Sequence, residues 1–166
     1  VSPLKILGLD PGFGTFGYGV IEVFGNKLCH VAHGAIVTEK DEPIQLRLKS
    51  LYEQIRKIVE SYAPDEVAVE QLFFYKNVTT AIAVGEARGV SLLAVVELKI
   101  PIFEYTPHVV KKAVTGSGKA GKGDVQKWVM LLLGLKEKPR PDDAADALAI
   151  AICHAHTRKF ERRFEQ

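Results

Sequence analysis

Residues 6–21 read ILGLDPGFGTFGYGVI, and this stretch decides the fold. Lys5 to Leu9 is a short apolar run that ends on Asp10, and Pro11-Gly12 behind it makes a turn. Thr15 to Val23 alternates glycine, aromatic and β-branched residues, as a strand does. Gly25-Asn26 makes a second turn, and Lys27 to Thr38 reads as another strand. The chain therefore opens with three strands joined by tight turns.

Further along, apolar residues at 48, 51, 55, 58, 59 and 62 give Leu46 to Tyr62 helical spacing, which Pro64-Asp65 ends. Val67 to Val69 is a second short apolar run, and it ends on Glu70. Val78 to Glu97 is apolar on nearly all sides apart from Glu86, Arg88 and a few hydroxyl residues. That pattern predicts a helix buried in the core or against another subunit. Ile100 to Tyr105 reads as a strand entered through Pro101, and His108 to Val114 as a short helix. Further helices are expected from about Asp124 to Leu133 and from Asp142 towards Phe160. The order β-β-β-α-β-α-β-α-α-α predicts an α/β fold, a mixed sheet with helices packed on it. One domain is expected over residues 1–160, with 161–166 as a basic C-terminal tail.

At 166 residues, with 25% charged and 47% hydrophobic residues, the chain has the balance of an ordinary globular protein. Disorder, collagen and coiled coil are excluded. No uninterrupted apolar run approaches the roughly 18 residues of a membrane span, and Val1 to Leu4 lack the basic-then-apolar pattern of a secretory signal. Cys29 and Cys153 lie far apart with no paired spacing, which suits a reducing compartment. A cytoplasmic protein without a membrane partner is expected. The net charge of +2 says little, but Thr106 to Lys127 carries five lysines (111, 112, 119, 122, 127) against Asp124 alone. Arg158, Lys159, Arg162 and Arg163 add to the positive side near the end, whereas Asp41 to Gln71 holds seven acids and four bases. A basic strip on a nearly neutral protein is the footprint of phosphate-backbone binding, and equally of a solvated surface.

Asp10 and Glu70 are each the first charge after a strand-like apolar run, where a strand leaves the core. Pro141-Asp142-Asp143-Ala-Ala-Asp146 then precedes seven apolar residues, and Asp143 and Asp146 share one face of the first helical turn. Singly, each acid has an ordinary explanation: Asp10 starts a turn, Asp142 and Asp143 cap a helix, and Glu70 is a strand-end surface group. Jointly, three apolar elements deliver carboxylates with no nearby His or Cys ligand. Oxygen donors of that kind suit Mg²⁺ or Mn²⁺.

Two phosphate motifs compete. Gly12-Phe13-Gly14-Thr15-Phe16-Gly17 has the G-x-G-x-x-G spacing, but Tyr18 to Val23 reads as strand where a dinucleotide site needs a helix. GSGKAGK (116–122) nearly spells a P-loop, but Gly123 stands where Mg²⁺ needs Ser or Thr. Cys153, His154 and His156 lie too close together on one helix for a tetrahedral site, and Cys29, His30 and His33 fall in a strand region where a satisfied or exposed histidine is the common case, so no zinc is assigned.

ILGLDPGFGTFGYGVI (6–21), VAVEQLFFYKN (67–77), VGEARGV (84–90) and PDDAADALAIAICHAH (141–156), in that order and spacing, resemble the bacterial RuvC-type Holliday-junction resolvases. The resemblance runs from about Lys5 to His156. It implies an RNase H-like fold, a five-stranded mixed sheet flanked by helices. It also implies that Asp10, Glu70, Asp143 and Asp146 bind divalent metal, that Lys122 stands near the scissile phosphate and that Lys111 contacts DNA. Phe73 matches an aromatic that meets unstacked bases, and Tyr75, Lys76, Lys112 and Lys119 are the further expected DNA contacts. Gly121 and Gly123 depart from the family, whose members more often carry charged or helix-favouring residues there. Two glycines loosen a helix start.

The expected reaction is phosphodiester hydrolysis with two Mg²⁺ ions about 3.5–4 Å apart, Mn²⁺ substituting. Paired symmetric nicks in a four-way junction would leave 5′-phosphate and 3′-hydroxyl ends, in recombination and repair. A homodimer supplies two matching sites, with Val78 to Glu97 as the interface element. A branch-migration motor complex is the further partner that the family implies. The alternatives are an RNase H-like nuclease acting on RNA–DNA hybrid or another branched DNA, an actin-like ATPase or sugar kinase (which needs two related halves), and a binding module without activity.

Overall fold

The computed structural model describes residues 2–72 and 77–164, with side chains through Arg158 in the last helix. The elements follow the expected order: β1 (Leu4–Asp10), β2 (Thr15–Phe24), β3 (Lys27–Val37), α1 (Ile44–Tyr62), β4 (Glu66–Glu70), α2 (Val78–Glu97), β5 (Ile102–Tyr105), α3 (Pro107–Thr115), α4 (Lys122–Leu133) and α5 (Asp142–Phe164). The sheet runs β3-β2-β1-β4-β5. β1 pairs antiparallel with β2 and parallel with β4, and β4 pairs parallel with β5. This is the five-stranded mixed sheet of an RNase H-like fold.

Strand alternation divides the core in two. Leu7, Leu9, Val67 and Val69 face α1 and α2, packing with Leu51, Ile55, Val59 and Ala94. Ile6, Ile21 and Ala68 face the other way, against Val110, Val129, Leu148 and Ile152 of α3, α4 and α5. The glycines of the opening strands shape that second face. A Cβ at Gly8 would stand 2.0 Å from the Ala147 carbonyl oxygen, and one at Gly17 would stand 2.0 Å from that of Asp143. Glycine at these positions therefore lets α5 rest directly on the sheet. The spacing that resembles a dinucleotide fingerprint runs into strand β2 rather than a helix, and of its three glycines Gly17 is the one that packs against α5.

One helix start and the burial of one helix differ from expectation in ways that bear on the site. Helix α4 starts at Lys122, two residues early, because Gly121 takes the N-cap and the Asp124 carboxylate accepts its backbone N–H (3.3 Å). Helix α2 is not buried all round. Ala87, Ser91, Ala94 and Val95 pack inward, whereas Val78, Ile82, Leu93 and Val96 are exposed on the opposite face. By length and composition α2 alone among the described helices is apolar enough to cross a membrane. Yet it carries Glu86 and Arg88, and Arg88 pairs with Glu104 of β5 at 2.9 Å.

Candidate metal and nucleic-acid site

Asp10 and Glu70 are the last residues of the adjacent parallel strands β1 and β4. By alternation they face the same side as Gly8 and Ala68, which is the side covered by α5. Asp143 and Asp146 occupy the first turns of that helix. Three of these carboxyls are shifted upward. Burial first, then Asp146, Glu70 and Asp143, push the Asp10 carboxyl from its ordinary 3.8 up to about 8, with Lys122 opposing. Burial and Asp146 raise Glu70 to about 7, against Lys111. Asp146 is raised too, by burial and by Asp143 and Asp142, while Lys122 pulls it back.

The two strand-end acids are held by different devices. The turn after Asp10 is clamped from α1: the buried Arg47 donates to the Thr38 hydroxyl at 2.9 and 3.1 Å, and Thr38 donates to the Phe13 carbonyl at 3.0 Å. The Arg47 guanidinium also lies 3.7 Å from the centroid of the Phe13 ring. Arg88 of α2 donates to the Glu70 backbone carbonyl at 3.5 Å. At the far end of β4, Glu66 is paired, accepting from His154 at 2.7 Å and from Arg158 at 2.9 Å. His154 is buried and shares a further hydrogen bond with the Tyr105 hydroxyl at 2.6 Å. So α5 neutralises the acid at one end of the strand and brings two more acids to the other.

Lys122 Nζ stands 3.4 Å from Asp146 Oδ2 and 3.6 Å from Asp142 Oδ2. Partial burial pulls its pKa down, but Asp146 and Asp142 outweigh this and hold the ammonium above its usual range. A cleft of about 250 Å³ is lined by Glu70, Lys111, Lys122 and Asp146, with Pro107, Val110, Val125 and Ala149 as apolar wall. Lys112 and Lys119 are exposed and do not line it. Phe73, Tyr75 and Lys76 lie outside the described residues.

Sequence reasoning missed Arg47, Thr38, Arg88 and Asp142. Only Arg88 had a signal, standing inside the VGEARGV motif; Asp142 reads as an ordinary helix-start acid. GSGKAGK follows helix α3 rather than a strand, which removes the P-loop reading.

Among the described residues no three His, Cys, Asp or Glu side chains stand grouped as they would to hold a metal ion. Asp146 is turned towards Lys122, as expected where neighbouring carboxylates repel and an ammonium is in reach. The donor set nonetheless fits a hard divalent cation. It is all oxygen, and its crowding is the kind of strain that positive charge relieves.

Comparison with known proteins identifies the family. The family description "Crossover junction endodeoxyribonuclease RuvC" matches residues 6–154. A protein of that name from Pseudothermotoga lettingae is 59% identical over 96% of this chain and 98% of its own length. Its namesake from Thermotoga maritima is 58% identical over 93% of this chain and 92% of its own. The structure of Thermus thermophilus RuvC in complex with Holliday junction substrate superposes with a TM-score of 0.90. It is 36% identical, over 95% of this chain and 96% of that one.

Proposed function

This chain belongs to the RuvC family of crossover junction endodeoxyribonucleases and is a Holliday-junction-resolving endonuclease; we propose that Asp10, Glu70, Asp143 and Asp146 hold its metal. The carrying observation is that acids far apart in sequence share one field: Asp146 raises the pKa of both Asp10 and Glu70, and Glu70 raises that of Asp10 as well. The cation is Mg²⁺, with Mn²⁺ able to substitute, and each site takes two ions. When bound, such ions activate the attacking water and stabilise the leaving 3′ oxygen.

The protein's own groups do the rest. The carboxylates fix position through strands and a helix that cannot shift independently. Lys122 and Lys111 border the cleft and offset charge on the phosphoryl oxygens. Phe73 and Tyr75 stack on bases opened at the crossover, worth about 1–3 kcal/mol per base. Lys76, Lys112 and Lys119 follow the backbone beyond the cleft. The products are a 5′ phosphate and a 3′ hydroxyl.

A homodimer brings two such sites to a two-fold junction. The exposed apolar face of α2 supports this, since Ile82, Leu93 and Val96 are more than half exposed. Residues 1–160 form the nuclease domain and 161–166 its tail. The basic character there belongs to Arg158 through Arg163, because 161–166 alone carry two arginines and two glutamates. The protein acts in the cytoplasm, on junctions delivered by a branch-migration motor complex.

The test is cleavage of a mobile synthetic four-way junction and of an RNA–DNA hybrid, each with and without Mg²⁺. Paired, metal-dependent nicks in the junction are expected. Preference for the hybrid would replace this reading with that of a general RNase H-like nuclease.

A further inference from the structure

We propose that Asp142 is a positioning residue for the reaction: from the first turn of α5 it tethers the Lys122 ammonium over the cleft. The proposal rests on the reading of Lys122 as the group that faces the scissile phosphate.

Lys122 sits on a weak support. It is the first residue of α4, between an N-cap glycine with no side chain to cap the turn and a second glycine at 123. Packing does not demand glycine at 123, since a Cβ there would meet nothing within 4 Å. Glycine in a helix costs roughly 0.8–1.0 kcal/mol relative to alanine, and the Asp124 bond that starts this turn holds the Gly121 backbone, not the Lys122 side chain. Something else must fix the ammonium.

Asp142 is built to do so. Its Oδ1 is occupied from two sides, by Lys138 Nζ at 2.9 Å and by Gln126 Nε2 at 3.3 Å. Its Oδ2 is thereby aimed at Lys122 Nζ, 3.6 Å away. Gln126 is buried and lies one helical turn beyond Lys122, so Asp142 binds both to α5. Asp146 is the other partner of Lys122, and as a metal ligand it would divide its two oxygens between the cation and the lysine. Asp142 has no such competing role and keeps Oδ2 for Lys122. The pair is largely exposed, at 58% and 51%, and exposed pairs contribute little to stability. Its loss should therefore appear in turnover rather than in folding.

The experiment compares wild type, Asp142→Ala, Asp142→Asn, Lys122→Ala and the double variant Asp142→Ala/Gly123→Ala on a synthetic four-way junction with Mg²⁺. Junction affinity without metal and the unfolding midpoint are measured alongside. Asp142→Ala is expected to lower kcat about tenfold, as a catalytic group loses orientation, with affinity and midpoint nearly unchanged. Asp142→Asn should fall between it and wild type. Gly123→Ala should restore most of the lost turnover by stiffening the turn, a recovery that a merely structural or charge-balancing role would not give. Unchanged or faster cleavage by Asp142→Ala, or no recovery in the double variant, overturns the tether. If wild type fails to cut, or Lys122→Ala cuts normally, the reading of the site falls first, and the two failures are distinguishable.

Discussion

Gly8 in the middle of β1 lies directly beneath Ala147 of α5, so close that a methyl group at position 8 would stand 2.0 Å from the Ala147 carbonyl oxygen. The same helix begins with Asp143 and Asp146, so this contact sets the height of two acids above the strand that ends in Asp10. Gly8→Ala should cost about 2–3 kcal/mol as α5 is lifted. It should also weaken metal-dependent cleavage in the fraction that stays folded. Thermal unfolding checks this, and an unchanged midpoint would mean that α5 does not rest on β1.

Asp10→Asn should abolish cleavage and leave junction binding intact, because it removes a metal ligand without adding charge. It should also stabilise the metal-free chain at alkaline pH. The folded carboxyl titrates at about 8 against 3.8 ordinarily, so the folded state keeps a proton that the unfolded state has released. Stability therefore falls as pH rises between those values. Asparagine has no proton to lose, and above pH 8 the variant should exceed its parent by several kcal/mol, at roughly 1.4 kcal/mol for each pH unit between the two values. Unfolding at pH 5 and pH 9 with a chelator present reads the difference. An advantage for the variant at pH 5 instead would contradict the assignment.

Protons and metal compete for the same oxygens. With Glu70 at about 7 and Asp10 at about 8, cleavage at limiting Mg²⁺ should rise with pH across that interval. Raising the metal concentration should move the limb towards lower pH, because metal binding releases the protons. Rate profiles at two Mg²⁺ concentrations measure the displacement. Superimposable limbs would show that the titrating groups are not the ligands.

Ile82→Glu with Leu93→Glu should give a folded monomer. Both residues are more than half exposed on the outer face of α2, so the substitutions cost the isolated fold little. A buried interface would be left with unpaired charges. Sedimentation reports the assembly state, and cleavage should change from paired nicks to slow single ones. A double variant that remains dimeric would move the interface away from α2.

The order of elements was legible because apolar periodicity and turn residues are local properties. All ten elements stand where the spacing puts them, within a residue or two at most ends. Asp10 and Glu70 were legible as acids closing apolar runs. The start of α4 was not, because a glycine cap and the Asp124 carboxylate that bonds it outweigh the low helix propensity on which the expectation rested. The one-sided burial of α2 was also hidden, since a helix apolar all round does not reveal which face the rest of the chain will use.

What only the tertiary structure decided is which charges are answered. Glu66 and Glu70 close the two ends of one five-residue strand. His154 and Arg158 of α5 pair the first, while Asp146 of the same helix crowds the second. Sequence fixes the identity of each acid and its place on a strand. Whether an acid meets a cation or another acid depends on distances through space, and these exist only once glycines at 8 and 17 have let α5 settle on the sheet.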